Sequence, residues 1–328
     1  MSALVQMLRR NRWVRHAGQT VVPTEKRPSQ VCATLFDSVS DEFFFPPGIR
    51  HDGDLAYPDQ PHPASQRKLS SCVCTEKDFH TKAFRHWCCQ IAEEWRLHRK
   101  LWEYLYICQA LYERGMLSAG RRGLGFAVGL EPLPSLFASK GVQIVASDLC
   151  ASDPRAELWA NSQQLASNLQ QLNQRGLCEP GRFTELVSFR NVDMNEIPDD
   201  LRDFDFTWSS CSFEHCGSIE LGQRFICEQM KCLKPGGIAV HTTELNLTSN
   251  DETIATGATV LFRRRDIEEI AARLTADGHR VERIDPDLGS SPTDHYIDLA
   301  PYSSAPHLKL QLGGYVTTSI GLIVEKAS

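Results

Sequence analysis

The stretch GLGFAVGLEPLPSLFASKGVQIVASDL, from Gly123 to Leu149, constrains the fold more than any other part of the chain. An apolar run ending at Val128 passes through Gly129 into a helical pattern of about ten residues opened by Glu131 and Pro132. Val142–Ala146 then reads as a second strand ending at Asp148, which completes a βαβ unit. The rhythm continues with a polar helix over 156–175, a strand toward Val192 and Asp193, and a strand FDFTWS at 204–209. A helix over 219–233, the turn KPGG at 234–237 and the strand IAVHTTE follow. Such alternation predicts an α/β fold with a doubly wound, Rossmann-like sheet that is mostly parallel. A further helix starts at Asp266, with Glu269 three residues on as in a capping box. The closing tract HLKLQLGGYVTTSIGLIVEK reads as a β-hairpin about its Gly-Gly pair, giving an antiparallel C-terminal strand on the sheet edge.

Composition decides how much chain this fold organises. With 328 residues, 41% hydrophobic and 23% charged, the chain can bury a full core, and its length suits one large domain with an extension. Residues 1–77 read as an irregular arm rich in Pro, Asp and aromatics. Residues 78–119 read as an N-terminal helical lid region that stops at Gly115, and 120–328 as the cofactor-binding domain. A net charge of -6 gives no global electrostatic reason to expect nucleic acid or a membrane surface. No apolar run approaches the roughly 20 residues of a membrane span, and the first residues lack a secretory signal's apolar core, so a cytoplasmic location is expected. Arg9, Arg10, Arg12 and Arg15 suit a frayed or docking basic helix, with an organellar targeting segment as the alternative. The 12 cysteines form no paired Cys-x-x-Cys units, so reduced and mostly buried thiols are expected.

The glycine-rich turn raises the question of which nucleotide it serves. A dinucleotide's pyrophosphate rests on a helix N-terminus, where free N–H groups and the positive dipole end attract anions. Here that place carries Glu131, and Pro132 removes an amide, so NAD is disfavoured. The spacing also departs from the dinucleotide pattern, with Ala127 between Gly125 and Gly129 and Leu133 where a third glycine would fall. A cofactor carrying a sulfonium and an ammonium but no phosphate welcomes acids and still needs a small residue for backbone approach. S-adenosyl-L-methionine fits. Asp148, at the end of the second strand, is placed to accept from two ribose hydroxyls.

On these residues the chain resembles the class I S-adenosylmethionine-dependent methyltransferases, over roughly residues 120–326. AVGLEP is similar to the family's glycine motif, SDL to its ribose-binding acid and NVDMNEIP to its adenine-binding acid. FDFTWSSCSFEH resembles the motif after the fourth strand, and LKPGG the turn before the fifth. The family's first glycine is Ala127 here, and its acid two residues earlier is Gly125. The resemblance implies cofactor contacts at Gly129, Glu131, Asp148, Leu149, Asp193, Met194, Ser209 and Ser210. Within the class, the tract TTELNLTSNDETIATGATVLFRRRDIEEI, the HRKLWE block and the TSIGLIV ending look like bacterial methyltransferases found beside glycosyltransferases in polysaccharide pathways.

The chemistry expected is methylation of a hydroxyl on a small or glycan-like acceptor. Glu214 and His215 are the catalytic candidates, because an attacking hydroxyl must shed a proton and imidazole titrates near working pH. His215 can equally cap the following helix, and Asp148 and Asp193 can equally end strands and cap turns. His98, Arg99, Trp102 and Glu103 can line a lid, although a Trp at helical spacing also suits a core. Asp294 and His295 fall in a loop suited to an acceptor pocket. No metal is assigned, but a metal-assisted alternative would use Glu214 and His215 with His241 or Glu244, and Cys211 as a soft ligand. A cofactor-binding scaffold without catalysis is the other alternative, and a homo-oligomer stays open. Nucleic-acid amino-methylation is disfavoured, since SSCSFEH lacks an Asn or Asp followed by Pro-Pro and an aromatic.

Overall fold

The computed structural model of the protein describes residues 68–156, 168–303 and 305–328, so the arm up to residue 67 and most of the polar helix expected at 156–175 lie outside the described residues. Four elements precede the first βαβ unit: β1 (Ser71–Val73), α1 (Glu76–Phe79), α2 (Lys82–Gln90) and α3 (Arg99–Glu113). Then come β2 (Arg122–Gly125), α4 (Leu133–Ser139), β3 (Gln143–Asp148), α5 (Pro180–Leu186), β4 (Val187–Asn191), β5 (Phe204–Ser210) and α6 (Ile219–Glu228). The remainder is β6 (Leu233–Asn246), α7 (Arg264–Ala276), β7 (Arg280–Val281), β8 (Ile284–Asp285), α8 (Pro292–His295), β9 (Ile297–Asp298), β10 (Lys309–Leu312) and β11 (Tyr315–Glu325). The sheet order is β4-β3-β2-β5-β6-β11-β1-β8. From β4 to β6 neighbouring strands are parallel, and β11 runs antiparallel to β6. This is the Rossmann-like, mostly parallel sheet with an antiparallel C-terminal strand that the alternation predicts.

The expected hairpin forms as β10 and β11 about Gly313 and Gly314. It is not on the sheet edge. β11 lies between β6 and β1, with Ile320 opposite Thr243 and Gly321 opposite both Thr242 and Cys72. Its burial is nearly unbroken from Val316 to Val324, as a strand paired on both sides and covered on both faces requires. β1 is a short strand of the same sheet, so the boundary drawn at residue 77 runs through one packed unit.

Residues 78–119 are likewise part of the core. α3 buries eleven of its fifteen residues, Trp102 and Tyr106 among them. Tyr106 packs so closely on β11 that a Cβ at Gly321 would lie 2.2 Å from its ring, and its hydroxyl donates to the Ser70 carbonyl at 2.9 Å. Trp102 stacks on Tyr106 at 4.7 Å between centroids, and its indole donates to Asp78 at 2.8 Å. Burial of rings this size stabilises by roughly 1.5–3 kcal/mol each, which fixes the helix on the sheet rather than leaving it as a hinged cover. α2, α3 and α4 thus cover one face, against Phe206, Trp208, Val240 and Ile323, while α6 and α7 cover the other, against Leu124, Phe126 and Phe204.

Three further local expectations differ from the structure. KPGG does not end in a turn before a separate strand; Lys234–Gly237 lie inside β6, with a register shift against Phe204 and Phe206 and Gly236 at φ 72°. The helix expected to run to 233 ends as α6 at Glu228 and tightens to a 3-10 turn over Gln229–Cys232. The capping box of α7 uses Arg263 and Asp266, not Asp266 and Glu269, because Asp266 turns back to accept from the Arg263 amide at 2.7 Å.

The glycines of β2 answer to packing. A Cβ at Gly123 would lie 2.3 Å from the Phe206 ring, and one at Gly125 would lie 2.4 Å from Trp208. β2 is therefore bare on the side where β5 carries its largest rings. Gly125→Ala is expected to lower unfolding free energy by about 1–3 kcal/mol through overpacking; an unchanged chemical-denaturation midpoint would refute this account of the strand.

Candidate functional site

The loops at the carboxyl ends of β2, β3, β5 and β6 converge, as the switch point of an open α/β sheet requires. After β2, the Phe126 amide donates to the Trp208 carbonyl at 2.9 Å and the Val128 amide to the Ser147 carbonyl at 3.0 Å. Between them the chain turns through the left-handed region, with Ala127 at φ 48° and Gly129 at φ 51°. A side-chain-bearing residue held there costs about 1–2 kcal/mol, so Ala127 is tolerated because the flanking hydrogen bonds over-determine the turn.

Asp148 is the clasp of this turn. Its Oδ2 accepts from the Gly129 amide and its Oδ1 from the Leu149 amide, both at 2.8 Å. The carboxyl is only 6% exposed, and that burial pushes its pKa up to about 6 against the two amide bonds. Each oxygen keeps a lone pair for a further donor.

Glu131 is placed differently from the sequence expectation. The helix begins two residues later, at Leu133 with Pro132 as its N-cap, and runs for seven residues. The Glu131 side chain turns inward and accepts from the Trp208 indole at 2.6 Å. Burial pushes its pKa up to about 8, so it is largely a neutral acid at pH 7 in this structure, rather than a helix-opening carboxylate that repels a diphosphate.

Along β5 the serines face different partners. Ser209 Oγ lies 2.7 Å from His241 Nδ1, and burial holds His241 neutral by pushing its pKa down to about 3. Ser210 Oγ donates to Glu103 Oε2 at 3.1 Å, and Lys100 Nζ donates to the Ser210 carbonyl at 2.8 Å. Cys211 follows at φ 51°, its amide donating to the Thr242 carbonyl and hydroxyl oxygens, each at 3.0 Å. Glu214 and His215 then form a short 3-10 turn. Glu214 is fully buried, accepts from the Thr243 hydroxyl at 2.9 Å, and has its pKa raised by burial. His215 Nδ1 is 2.8 Å from the Ala258 carbonyl, which can only accept, so Nδ1 carries the proton and Nε2 is the acceptor of the neutral ring. Nε2 is 4.0 Å from Glu214 Oε1.

Asp193 follows Val192, whose amide donates to the Asp148 carbonyl at 2.9 Å. Its Oδ1 accepts from the Asn195 amide at 2.9 Å and its Oδ2 pairs with Arg155 at 2.7 Å, while Met194 packs on the buried cluster around Val192 and Phe213. Asp294, expected near an acceptor, is a buried staple instead. It closes the capping box of α8 with Ser291 and accepts from the Glu76 amide at 2.8 Å, tying α8 to α1.

The part of the site that sequence reasoning undervalued is the start of α3. Arg99 and Lys100 each lie about one turn before Glu103 and reach Ser210 and Cys211, so a salt-bridge spacing on an otherwise apolar helix was the available signal. Burial alone would raise the Glu103 pKa, but Lys100 and Arg99 outweigh it and hold the carboxyl below its ordinary range.

The family described as a methyltransferase domain matches residues 128–241, the segment from the glycine turn to the middle of β6. No curated protein gives a significant sequence match. Solved structures similar in part include a CurJ carbon methyltransferase, at 13% identity and TM-score 0.40, covering 70% of this chain and 54% of that one. Others are a putative sarcosine dimethylglycine methyltransferase from Galdieria sulphuraria (13% identity, TM-score 0.39, 75% and 99% covered) and a phosphoethanolamine N-methyltransferase 2 from Haemonchus contortus (15%, 0.43, 66% and 52%). The chain spans about half the length of the first and third of these. The matched methyltransferase domain thus falls on the parallel part of the sheet, from the glycine turn after β2 into β6. The sheet itself is Rossmann-like and mostly parallel. Among the described residues no helix is long and apolar enough to cross a membrane.

The protonation of Glu131 gives a signed prediction. Its folded pKa of about 8 lies above the model-compound value of 4.5, so the folded state holds the proton more tightly than the unfolded chain. The stability this contributes is fully present below pH 4.5 and is lost as pH rises through 8. Relative to Glu131→Gln, the wild-type Tm should fall steadily over that window, and parallel Tm profiles for the two proteins would show that the acid is not buried as described.

Proposed function

We propose that the chain transfers a methyl group from S-adenosylmethionine to a hydroxyl oxygen of a small or glycan-like acceptor, with His215 as the general base. The single observation behind this reading is the hydrogen bond from His215 Nδ1 to the Ala258 carbonyl, which leaves Nε2 as the proton-accepting atom just past the end of β5. The acceptor oxygen attacks the methyl carbon and the carbon–sulfur bond breaks. Its electron pair goes to sulfur, and the hydroxyl proton goes to Nε2. Glu214, buried beside the ring, acts by orienting the turn that carries it. The rest of the rate comes from holding donor and acceptor in line and excluding water.

In this reading Gly129 allows close approach of the cofactor, Asp148 accepts from its ribose hydroxyls, and Leu149 lies along that edge. Asp193 and Met194 serve the adenine, Arg155 holding the Asp193 carboxylate in place. Glu131, Ser209 and Ser210 border the methionine moiety, where a cationic ammonium would favour the ionised form of Glu131. The polysaccharide-pathway resemblance supports a glycan-like acceptor.

Two experiments test the reading separately. Asp148→Ala should weaken S-adenosylmethionine binding by about 1–3 kcal/mol in calorimetry, since the ribose donors lose their acceptor; equal affinity removes Asp148 from the cofactor site. Labelled methyl transfer to a panel of sugars, glycans and phenols should give oxygen-linked product, with His215→Ala reducing turnover roughly 10²–10⁴-fold at near-constant cofactor affinity. Product methylated only at nitrogen or carbon overturns the hydroxyl assignment, and full turnover by His215→Ala overturns the base.

A further inference from the structure

The buried charges at the start of α3 meet a cluster of cation-binding side chains at the ends of β5 and β6. The Sγ of Cys211 and carboxylate oxygens of Glu214 and Glu244 lie within 4.8 Å of one another, brought together from the turn after β5 and from β6. A thiol with two carboxylates at this spacing is the donor set of a borderline-soft divalent ion such as zinc or cobalt. Glu214 Oε1, wholly buried, makes no hydrogen bond of ordinary geometry, although the Cys211 thiol leans toward it. One donor atom of the set is therefore unspent.

The Arg99 guanidinium lies in this cluster. Nη1 is 3.2 Å from Cys211 Sγ, 3.2 Å from Glu103 Oε1 and 3.3 Å from Ser319 Oγ, while Nη2 is paired with Glu244. Glu244 is held from the other side by the Thr317 hydroxyl, which donates to Oε2 at 3.0 Å. Arg99 and Lys100 bring two positive charges that balance those of Glu103 and Glu244, and Glu214 is a third buried acid of the cluster, its pKa raised by burial. A buried carboxylate left without that balance would be strongly destabilising. Arg99 is itself only 3% exposed and cannot swing out to water without unseating the start of α3. Its planar fork reaches a thiol, two carboxylates and a hydroxyl at once, which a lysine ammonium on a flexible stem would not do in the same geometry.

We propose that Arg99 is a tethered cation occupying what would otherwise be a divalent-metal site formed by Cys211, Glu214 and Glu244, and that it positions Cys211 and Glu244 at the methyl-transfer edge of the sheet without a metal. The proposal is independent of which acceptor is methylated.

Cobalt(II) titration of the full chain tests it, with the cobalt–thiolate charge-transfer absorption as the readout. Wild-type protein, treated with chelator and desalted, should show no such band at one equivalent of cobalt. Arg99→Met, which keeps much of the aliphatic volume, and Arg99→Ala should each gain the band and bind cobalt at least 10-fold more tightly than wild type. The band should disappear when Cys211→Ser is added. Two results overturn the proposal: a Cys211-dependent band in the wild type at one equivalent, or folded Arg99 variants, judged by circular dichroism and S-adenosylmethionine binding, that bind cobalt no better than wild type. If neither variant folds, the wild-type titration decides alone, since stoichiometric cobalt on Cys211 would mean that Arg99 does not fill the site.

Discussion

The structure depends on one contact at the centre of the sheet, the Trp208 ring lying over Gly125. The ring occupies the space that any side chain at position 125 would need, and its indole nitrogen reaches across to Glu131 at 2.6 Å. The same residue therefore closes the core and fixes the loop that follows β2. Its backbone carbonyl accepts from Phe126, so the end of β5 also sets where the left-handed turn at Ala127 begins. A strand of small residues against a strand of large ones is a volume match, and packed interiors accept little departure from it. A side chain at position 125 is excluded by this contact, and Glu131 brings a carboxyl in from the other side of the turn.

A second dependence runs through α3. Its apolar face packs on β11 and its charged first turn meets the ends of β5 and β6, so one helix supports the sheet and ties its strand ends. Buried ion pairs add little net stability against an apolar alternative, because desolvation offsets the attraction. Their value here is in specification. Arg99, Lys100 and Glu103 satisfy one another and the strand ends only in a single arrangement, which determines how the helix is rotated on the sheet.

Much of this was legible in the sequence because periodicity reports burial. The alternation from Gly123 to Glu244 located β2, β3, β5 and β6, and a strand ending in Asp148 after a glycine turn indicated which residues would meet. What periodicity does not carry is long-range pairing. Ser71–Val73 is too short to stand out as a strand, and only its register with Gly321 and Ile320 makes it one. The direction of the Glu131 side chain depends on Trp208, far along the chain, and no local pattern encodes it. Asp294 looked like a loop residue because its partner, the Glu76 amide, belongs to a different part of the sequence. KPGG looked like a turn because Pro-Gly punctuates most chains, whereas here the bulge keeps both strands in one ladder.

The position of β11 has a consequence for the order of assembly. It is paired on one side with β6 and on the other with β1, whose Cys72 lies opposite Gly321. Until the segment Tyr315–Glu325 has been made, β1 lacks the strand that joins it to β6, and Tyr106 lacks the Gly321 surface it packs on. The parallel half, β4 to β6, can pair earlier with contacts closer in sequence. Loop closure over so long a separation is slow, and it leaves the side of α3 that faces β11 uncovered in the meantime. Seating of β1 and Tyr106 on β11 is therefore a late step of assembly.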